Sequence, residues 1–77
     1  MDAMDAVRAA ADRAAVPVTH IGPAMGKGRT YANRIMTRGS VPQADTLAAM
    51  LAACGHVLAA VPVEDLPASA LVIDPRE

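Results

Sequence analysis

The stretch VTHIGPAMGKGRTYANRIMT, residues 18–37, decides how the rest of this sequence is interpreted. Residues 19–25 predict one short helix and residues 29–36 predict a second, with Ala32 and Ile35 facing inward. Between them lies a turn that contains two glycines. Two short helices joined by a tight glycine-containing turn are typical of a helix-turn-helix unit.

The start of the first short helix is open from the sequence. Thr19 is a suitable N-cap, but Gly22 and Pro23 are poor residues for a helix interior. Pro23 is tolerated only in a first turn. The helix therefore either begins at Thr19 with strain or begins later, with Gly22 near the cap.

Longer amphipathic segments flank this unit. Asp2 to Val16 predicts a helix that Pro17 ends, because the residue before a proline avoids the helical region. Gln43 to Cys54 predicts another, with apolar residues at helical spacing and Gly55 at its end. Residues 1–56 therefore predict a helix-turn-helix domain with a four-helix core.

The C-terminal part changes character. Residues 56–63 and 71–73 are rich in β-branched side chains, and a turn-like segment separates them. They predict a two-stranded β-hairpin in which Pro62 marks an edge or an end. The expected fold class is mainly α with a small C-terminal β element. Residues 57–77, the hairpin and tail, form the expected dimerisation element of a single compact domain.

The positive charge is concentrated in one segment. The formal net charge is only −1, but no acidic residue lies between Ala14 and Ala44. Lys27, Arg29, Arg34 and Arg38 all fall in this interval. We therefore expect one cationic face on a nearly neutral molecule.

Several functional classes find no support in the sequence. No apolar run approaches the ~20 residues of a membrane span, and the acidic N-terminus is unlike a secretory signal. Cys54 is the single cysteine and continues an apolar stripe, which favours a core residue and a reducing compartment. His20 and His56 lack further ligands at metal spacing, and no nucleophile with a base is evident. We expect a cytoplasmic protein with no enzymatic activity, no metal and no cofactor.

The segment YANRIMTRGSVPQADTLAAMLAACG resembles the Cro and phage-repressor (XRE-like) helix-turn-helix family. In that family an Arg-Ile pair ends the recognition helix and a glycine-containing loop follows. A proline and a Thr-Leu-led helix closed by glycine come next. The resemblance covers about residues 2–56. Lys27 at a usually apolar turn position, Pro17 or Val18 at an often polar position, and the Gly22-Pro23 pair depart from the pattern.

The second short helix carries side chains that suit the major groove. Arg pairs with guanine, Asn pairs with adenine, and Thr offers a hydroxyl and a methyl group. The predicted base-reading residues are Arg29, Thr30 and Asn33. Flanking residues suit phosphate contacts, which position a protein without reading sequence. The predicted phosphate-contacting residues are Lys27, Tyr31, Arg34, Arg38 and Ser40.

Structural interpretations of the same residues stay open. Arg29 and Asn33 also suit a solvated helix surface, and Arg34 also suits an ion pair with an acid of the first helix. Tyr31 equally suits a cap on the core with its hydroxyl in water.

The sequence thus predicts a sequence-specific, double-stranded DNA-binding transcription regulator, a Cro-like repressor of an operator. The alternative is an antitoxin or phage-encoded protein-interaction module on the same scaffold, with a protein partner such as a toxin. We expect a homodimer with recognition helices about 34 Å apart. The predicted dimer interface consists of Val57, Leu58, Val61, Val63, Leu71, Val72 and Ile73. The competing hypothesis is a monomer whose hairpin folds back on residues 43–54.

Overall fold

A computed structural model describes residues 1–75. These residues form four α-helices and two single 3₁₀ turns, the latter at Val18–His20 and Val63–Asp65. The helices are α1 (Ala3–Ala14), α2 (Ile21–Ala24), α3 (Tyr31–Arg38) and α4 (Ala44–Ala53). None of them has the length and hydropathy of a membrane span.

Helix α1 is fixed at both ends by local hydrogen bonds. Asp2 and Asp5 form a capping box, in which the Asp5 N–H donates to the Asp2 carboxylate over 2.8 Å. At the other end, Ala15 adopts a left-handed conformation with φ of 55°. This lets the Val16 N–H reach back to the Ala11 carbonyl over 2.9 Å. The helix therefore stops earlier than the position of Pro17 alone predicts.

The structure shows where the first short helix begins, which the sequence left open. A 3₁₀ turn begins at Val18, and α2 follows it at Ile21. Pro23 therefore lies in the first turn of α2. Backbone N–H groups in a first turn have no hydrogen-bond partner within the helix, so the lack of an N–H in proline breaks no helical hydrogen bond there. Thr19 does not cap α2, because it lies inside the 3₁₀ turn.

The turn after α2 depends on two glycines. Gly26 has φ of +76°, a conformation that glycine adopts without steric cost. The Lys27 N–H then donates to the Gly22 carbonyl over 2.8 Å, which closes the helix end. A Cβ on Gly22 would lie only 2.0 Å from the Gly28 carbonyl oxygen. The absence of a side chain at Gly22 therefore allows the turn to pack directly on α2.

The core lies between the four helices. Helix α1 packs against α4, and α2 packs against both α3 and α4. Ile21, Met50, Val7 and Cys54 are the largest fully buried side chains. Ala32 is the buried residue of α3, which begins at Tyr31 rather than at Arg29 and ends at Arg38. The short segments of the quoted stretch are thus held in place by a helical core.

The predicted β-hairpin is wrong. No residue from 1 to 75 lies in a β-strand, so the expected fold class with a C-terminal β element does not hold. Residues 57–75 instead follow an irregular path that contains the 3₁₀ turn Val63–Asp65. The last two residues of the expected tail, 76 and 77, lie outside the described residues.

Proline positions and tertiary contacts explain the missing strands. Within residues 57–75, the described backbone hydrogen bonds close local turns, with the Pro62, Val63 and Pro67 carbonyls as acceptors. Pro62 and Pro67 have no N–H to donate to the hydrogen bonds between β-strands. Leu58, Leu71 and Ile73 pack against the helical core. The segment therefore gains burial from the helices rather than from strand pairing.

Three polar contacts anchor the C-terminal segment to the N-terminal part of the chain. Arg13 donates to the Ser69 carbonyl over 2.6 Å. The Met1 amine pairs with the Asp74 carboxylate, and the Asp74 N–H donates to the Met1 carbonyl over 2.9 Å. The hydrogen bond that the Met1 amine donates to the Asp74 carboxylate raises the pKa of the amine above its ordinary value.

Candidate nucleic-acid interface

The turn before α3 presents Arg29 and Thr30 to solvent. The Tyr31 N–H donates to the Gly28 carbonyl over 3.2 Å, which closes the turn, and the Arg34 N–H donates to the Thr30 carbonyl over 2.9 Å. The Thr30 side chain makes no capping hydrogen bond to α3. Both side chains are exposed at the N-terminal end of α3, where the helix dipole favours anions.

Helix α3 has one inner face and one outer face. The inner face consists of Ala32, which is buried, and of three half-buried side chains that pack against the core: Tyr31, Ile35 and Met36. The outer face is exposed and polar. It consists of Asn33, Arg34, Thr37 and Arg38. The fold therefore presents polar side chains along the whole length of α3.

The predicted cations are all exposed and lie in the turn or on α3. The two ion pairs found within residues 1–75 join Met1 to Asp74 and Arg8 to Asp5. None of the four cations at positions 27, 29, 34 and 38 takes part in either pair. In particular, Arg34 is not paired with an acid of α1, so the structural alternative for this residue is not realised in the described part of the chain.

Tyr31 belongs partly to the core and partly to the surface. Its ring is half-buried and packs against the hydrophobic cluster. The Lys27 ammonium lies 5.9 Å from the ring centroid, at the limit of a cation–π contact. Tyr31 thus supports the turn that carries Lys27, and the predicted phosphate contact stays a prediction.

Ser40 differs from the other predicted phosphate-contacting residues in its surroundings. It lines a surface hollow together with three carboxylates and one cation: Asp2, Asp5, Asp74 and Arg8. Carboxylates repel phosphate, so this neighbourhood is less favourable for a DNA backbone than that of Arg34. The phosphate contact of Ser40 stays a prediction, and the structure gives it less support than the others.

Thr37 shares the outer face of α3 and was missed in the sequence analysis. It follows Asn33 by four residues and Arg34 by three, and this spacing places the three side chains together on a helix. The helical spacing was the signal available from the sequence. The predicted helix ended at residue 36, so Thr37 lay one residue beyond it.

The predicted dimer residues fall into two groups. Leu58, Leu71 and Ile73 are half-buried against the helices of their own chain. The four valines at positions 57, 61, 63 and 72 are exposed. Three of these valines, at positions 57, 61 and 72, line an apolar groove that the C-terminal segment forms with Ala6, Leu47 and Leu51. The valines therefore remain the accessible part of the predicted interface.

Cys54 lies in the core, and the His56 ring lies beside its backbone carbonyl. Cys54 is fully buried, and this burial raises the pKa of its thiol. The His56 ring lies with Nδ1 2.7 Å from the Cys54 carbonyl oxygen. Within the described part of the chain, no three His, Cys, Asp or Glu side chains are grouped as metal ligands.

Comparisons with family models, with curated proteins and with solved structures found no match for this chain.

Proposed function

We propose that this chain is a sequence-specific DNA-binding transcription regulator that occupies an operator through α3. The observation that carries the proposal is the surface formed by the turn and the outer face of α3. Its cations make no ion pair with residues 1–75, and its polar side chains are exposed. We call this surface the α3 surface. It consists of residues 27–38 except the inner-face residues Tyr31, Ala32, Ile35 and Met36.

The size of α3 suits the proposed role. An α-helix with its side chains is about 10–12 Å across, and the major groove is about 12 Å wide, so it admits α3. Arg29, Thr30 and Asn33 are the proposed base-reading residues. Lys27, Arg34 and Arg38 are the proposed phosphate-contacting residues, because point charges beside a groove suit its phosphate walls.

Selection of binding sites from random duplex DNA tests this proposal. The wild-type chain is expected to enrich one sequence motif. Arg29→Ala or Asn33→Ala should cost about 1–3 kcal/mol on that motif and relax the preference at one base pair. The matched control is Arg8→Ala, which removes the same charge from α1. A pool that never enriches, or an Arg8→Ala loss equal to that of Arg29→Ala, would contradict the proposal.

Salt dependence tests the proposed phosphate contacts. Four cations in each chain of a dimer would neutralise about 6–8 phosphates. The affinity is then expected to fall about a thousandfold or more between about 50 and 200 mM salt. Lys27→Ala and Arg38→Ala should weaken binding to all sequences alike and reduce the salt slope. A nearly flat salt dependence would contradict these contacts.

We also propose that the regulator acts as a homodimer through the four exposed valines. Apolar side chains at positions 57, 61, 63 and 72 gain free energy when a second surface removes them from water. Sedimentation at tens of micromolar should show a dimer, and the double variant Val57→Ser, Val63→Ser should shift it to monomer. A wild-type monomer that binds a half-site at full strength would refute the dimer.

The apolar groove of the C-terminal segment favours a second candidate function, a protein-interaction module such as an antitoxin. In that case Val57→Ser, which changes the groove lining, should lose binding to the partner protein while Arg29→Ala retains it. Loss of operator binding in Arg29→Ala, with no partner protein bound by the wild-type chain, supports the regulator.

A further inference from the structure

The outer face of α3 consists of two stripes that differ in chemistry. With about 100° per residue, Thr30, Asn33 and Thr37 fall within about 60° of one another. Arg34 and Arg38 form a separate stripe to one side. Thr30 has helical-region dihedral angles, φ of −93° and ψ of 0°, so its position follows the helix that it precedes.

The two stripes also differ in direction relative to the core. The inner face, centred between Ile35 and Ala32, contacts the hydrophobic cluster. Helical geometry places the uncharged stripe about 160° from that direction and the arginine stripe about 110° from it. The uncharged side chains therefore lie on the side of α3 farthest from the core, and the arginines lie on its flank.

This arrangement assigns different parts of the groove to the two stripes. A helix that enters the major groove brings its most outward side chains to the base edges and its flank to a phosphate wall. Thr30 and Thr37 are separated by about 10 Å along the axis. At 3.4 Å per base pair, that distance corresponds to about three base pairs.

On the basis of the proposed function, we infer that Thr37 is a further base-reading residue. Together with Asn33 and Thr30, it reads a run of about three A·T pairs in each half-site. Asn33 pairs with adenine, and the threonine methyl groups contact thymine methyl groups. Arg34 and Arg38 contact one phosphate wall and read no base. Arg29, in the turn before α3, contacts a guanine beside the A·T run.

Duplexes selected from a random pool test the inference first. The selected half-site should contain adjacent A·T pairs beside a G·C pair. Thr37→Ala should lower affinity for the selected duplex about three- to fivefold, and Asn33→Ala about tenfold. Neither change should alter affinity for random duplex. Arg38→Ala should lower both affinities by the same factor, and Thr46→Ala, the matched change on α4, should alter neither.

A change on the DNA side isolates the methyl contact. Replacing thymine by uracil in the selected duplex removes only the 5-methyl group. Wild-type affinity should fall at two thymine positions, one for each threonine. Thr37→Ser, which keeps the hydroxyl and removes the methyl, should show no further loss at one of these two positions. Thermal melting of each variant checks that the fold is intact.

The outcomes separate the inference from the proposed function. A selected half-site of G·C pairs alone overturns the inference and leaves a sequence-specific regulator. Equal losses for Thr37→Ala on selected and random duplex do the same, as does a uracil effect that is unchanged in Thr37→Ser. If the wild-type chain enriches no sequence, both the inference and the proposed function fail.

Discussion

The helical core and the C-terminal segment use apolar residues in opposite ways. In the core, Ile21 and Met50 have no exposed surface. In residues 57–75, Val57 and Val63 are 83% and 86% exposed, although this segment is rich in β-branched residues. Apolar composition alone therefore does not determine burial. Helical periodicity places apolar side chains on one face, whereas the C-terminal segment has neither that period nor a partner strand.

The largest expected effect is the loss of stability on replacing Gly22, which packs against the turn before α3. Gly22→Ala should destabilise the fold by more than about 4 kcal/mol, because the new Cβ would overlap the Gly28 carbonyl oxygen. Chemical denaturation measures this change. Gly28→Ala is the control, since a Cβ there meets no atom within 4 Å. Similar stabilities for the two variants would show that the turn does not pack on α2 as described.

The next prediction compares one side chain from each region. Met50→Ala should cost about 3 kcal/mol, because it leaves a cavity in a fully buried site. In the monomer, Val63→Ala should change stability by less than about 0.5 kcal/mol. Urea denaturation of both variants, at protein concentrations too low for dimerisation, gives the comparison. A large loss for Val63→Ala under these conditions would mean that the C-terminal segment follows a different path.

A smaller effect concerns the end of α1. Ala15 has a left-handed backbone conformation that costs an alanine about 1–2 kcal/mol. Ala15→Gly should therefore stabilise the protein by about 0.5 kcal/mol, after the larger chain entropy of glycine is subtracted. Ala9→Gly, inside α1, should destabilise it by about 1 kcal/mol. Thermal melting distinguishes the two, and equal losses would contradict the described helix end.

The smallest effect is a pH dependence of the core. Burial raises the pKa of the Cys54 thiol above its ordinary value of 9.0, so the folded state favours the protonated form. Stability is therefore expected to be full below pH 9.0 and to decline as the pH rises through the raised pKa. Denaturation across this range should show a weaker decline for Cys54→Ala. An identical decline would assign the effect to other groups.

The two short helices and the turn between them could be predicted because their determinants are local. Gly26 supplies the left-handed residue of the turn, and the apolar residues around it follow the helical period. The start of α2 was ambiguous in sequence, because a 3₁₀ turn before Ile21 leaves no distinct signal beside Gly22 and Pro23.

The C-terminal segment could not be predicted in the same way. A β-branched run looks the same whether it pairs with a strand or lies on helices. The contacts of Leu58, Leu71 and Ile73 with the core decide between these outcomes, and they connect residues far apart in sequence.

Part of the candidate site was equally hidden in the sequence. The hollow beside Ser40 depends on Asp2, Asp5 and Asp74, which the fold brings together from both ends of the chain. By contrast, helical spacing in the sequence is enough to predict which residues share the outer face of α3.

Backbone NMR with the selected duplex tests the central claim most directly, because it locates the DNA-binding surface in one experiment. Titration should produce the largest chemical-shift changes at Arg29, Thr30, Asn33 and Thr37, with smaller changes at Lys27, Arg34 and Arg38. Residues 57–75 should change little beyond the effects of dimerisation. The largest changes in the C-terminal segment, with α3 unaffected, would contradict the claim that the α3 surface binds DNA.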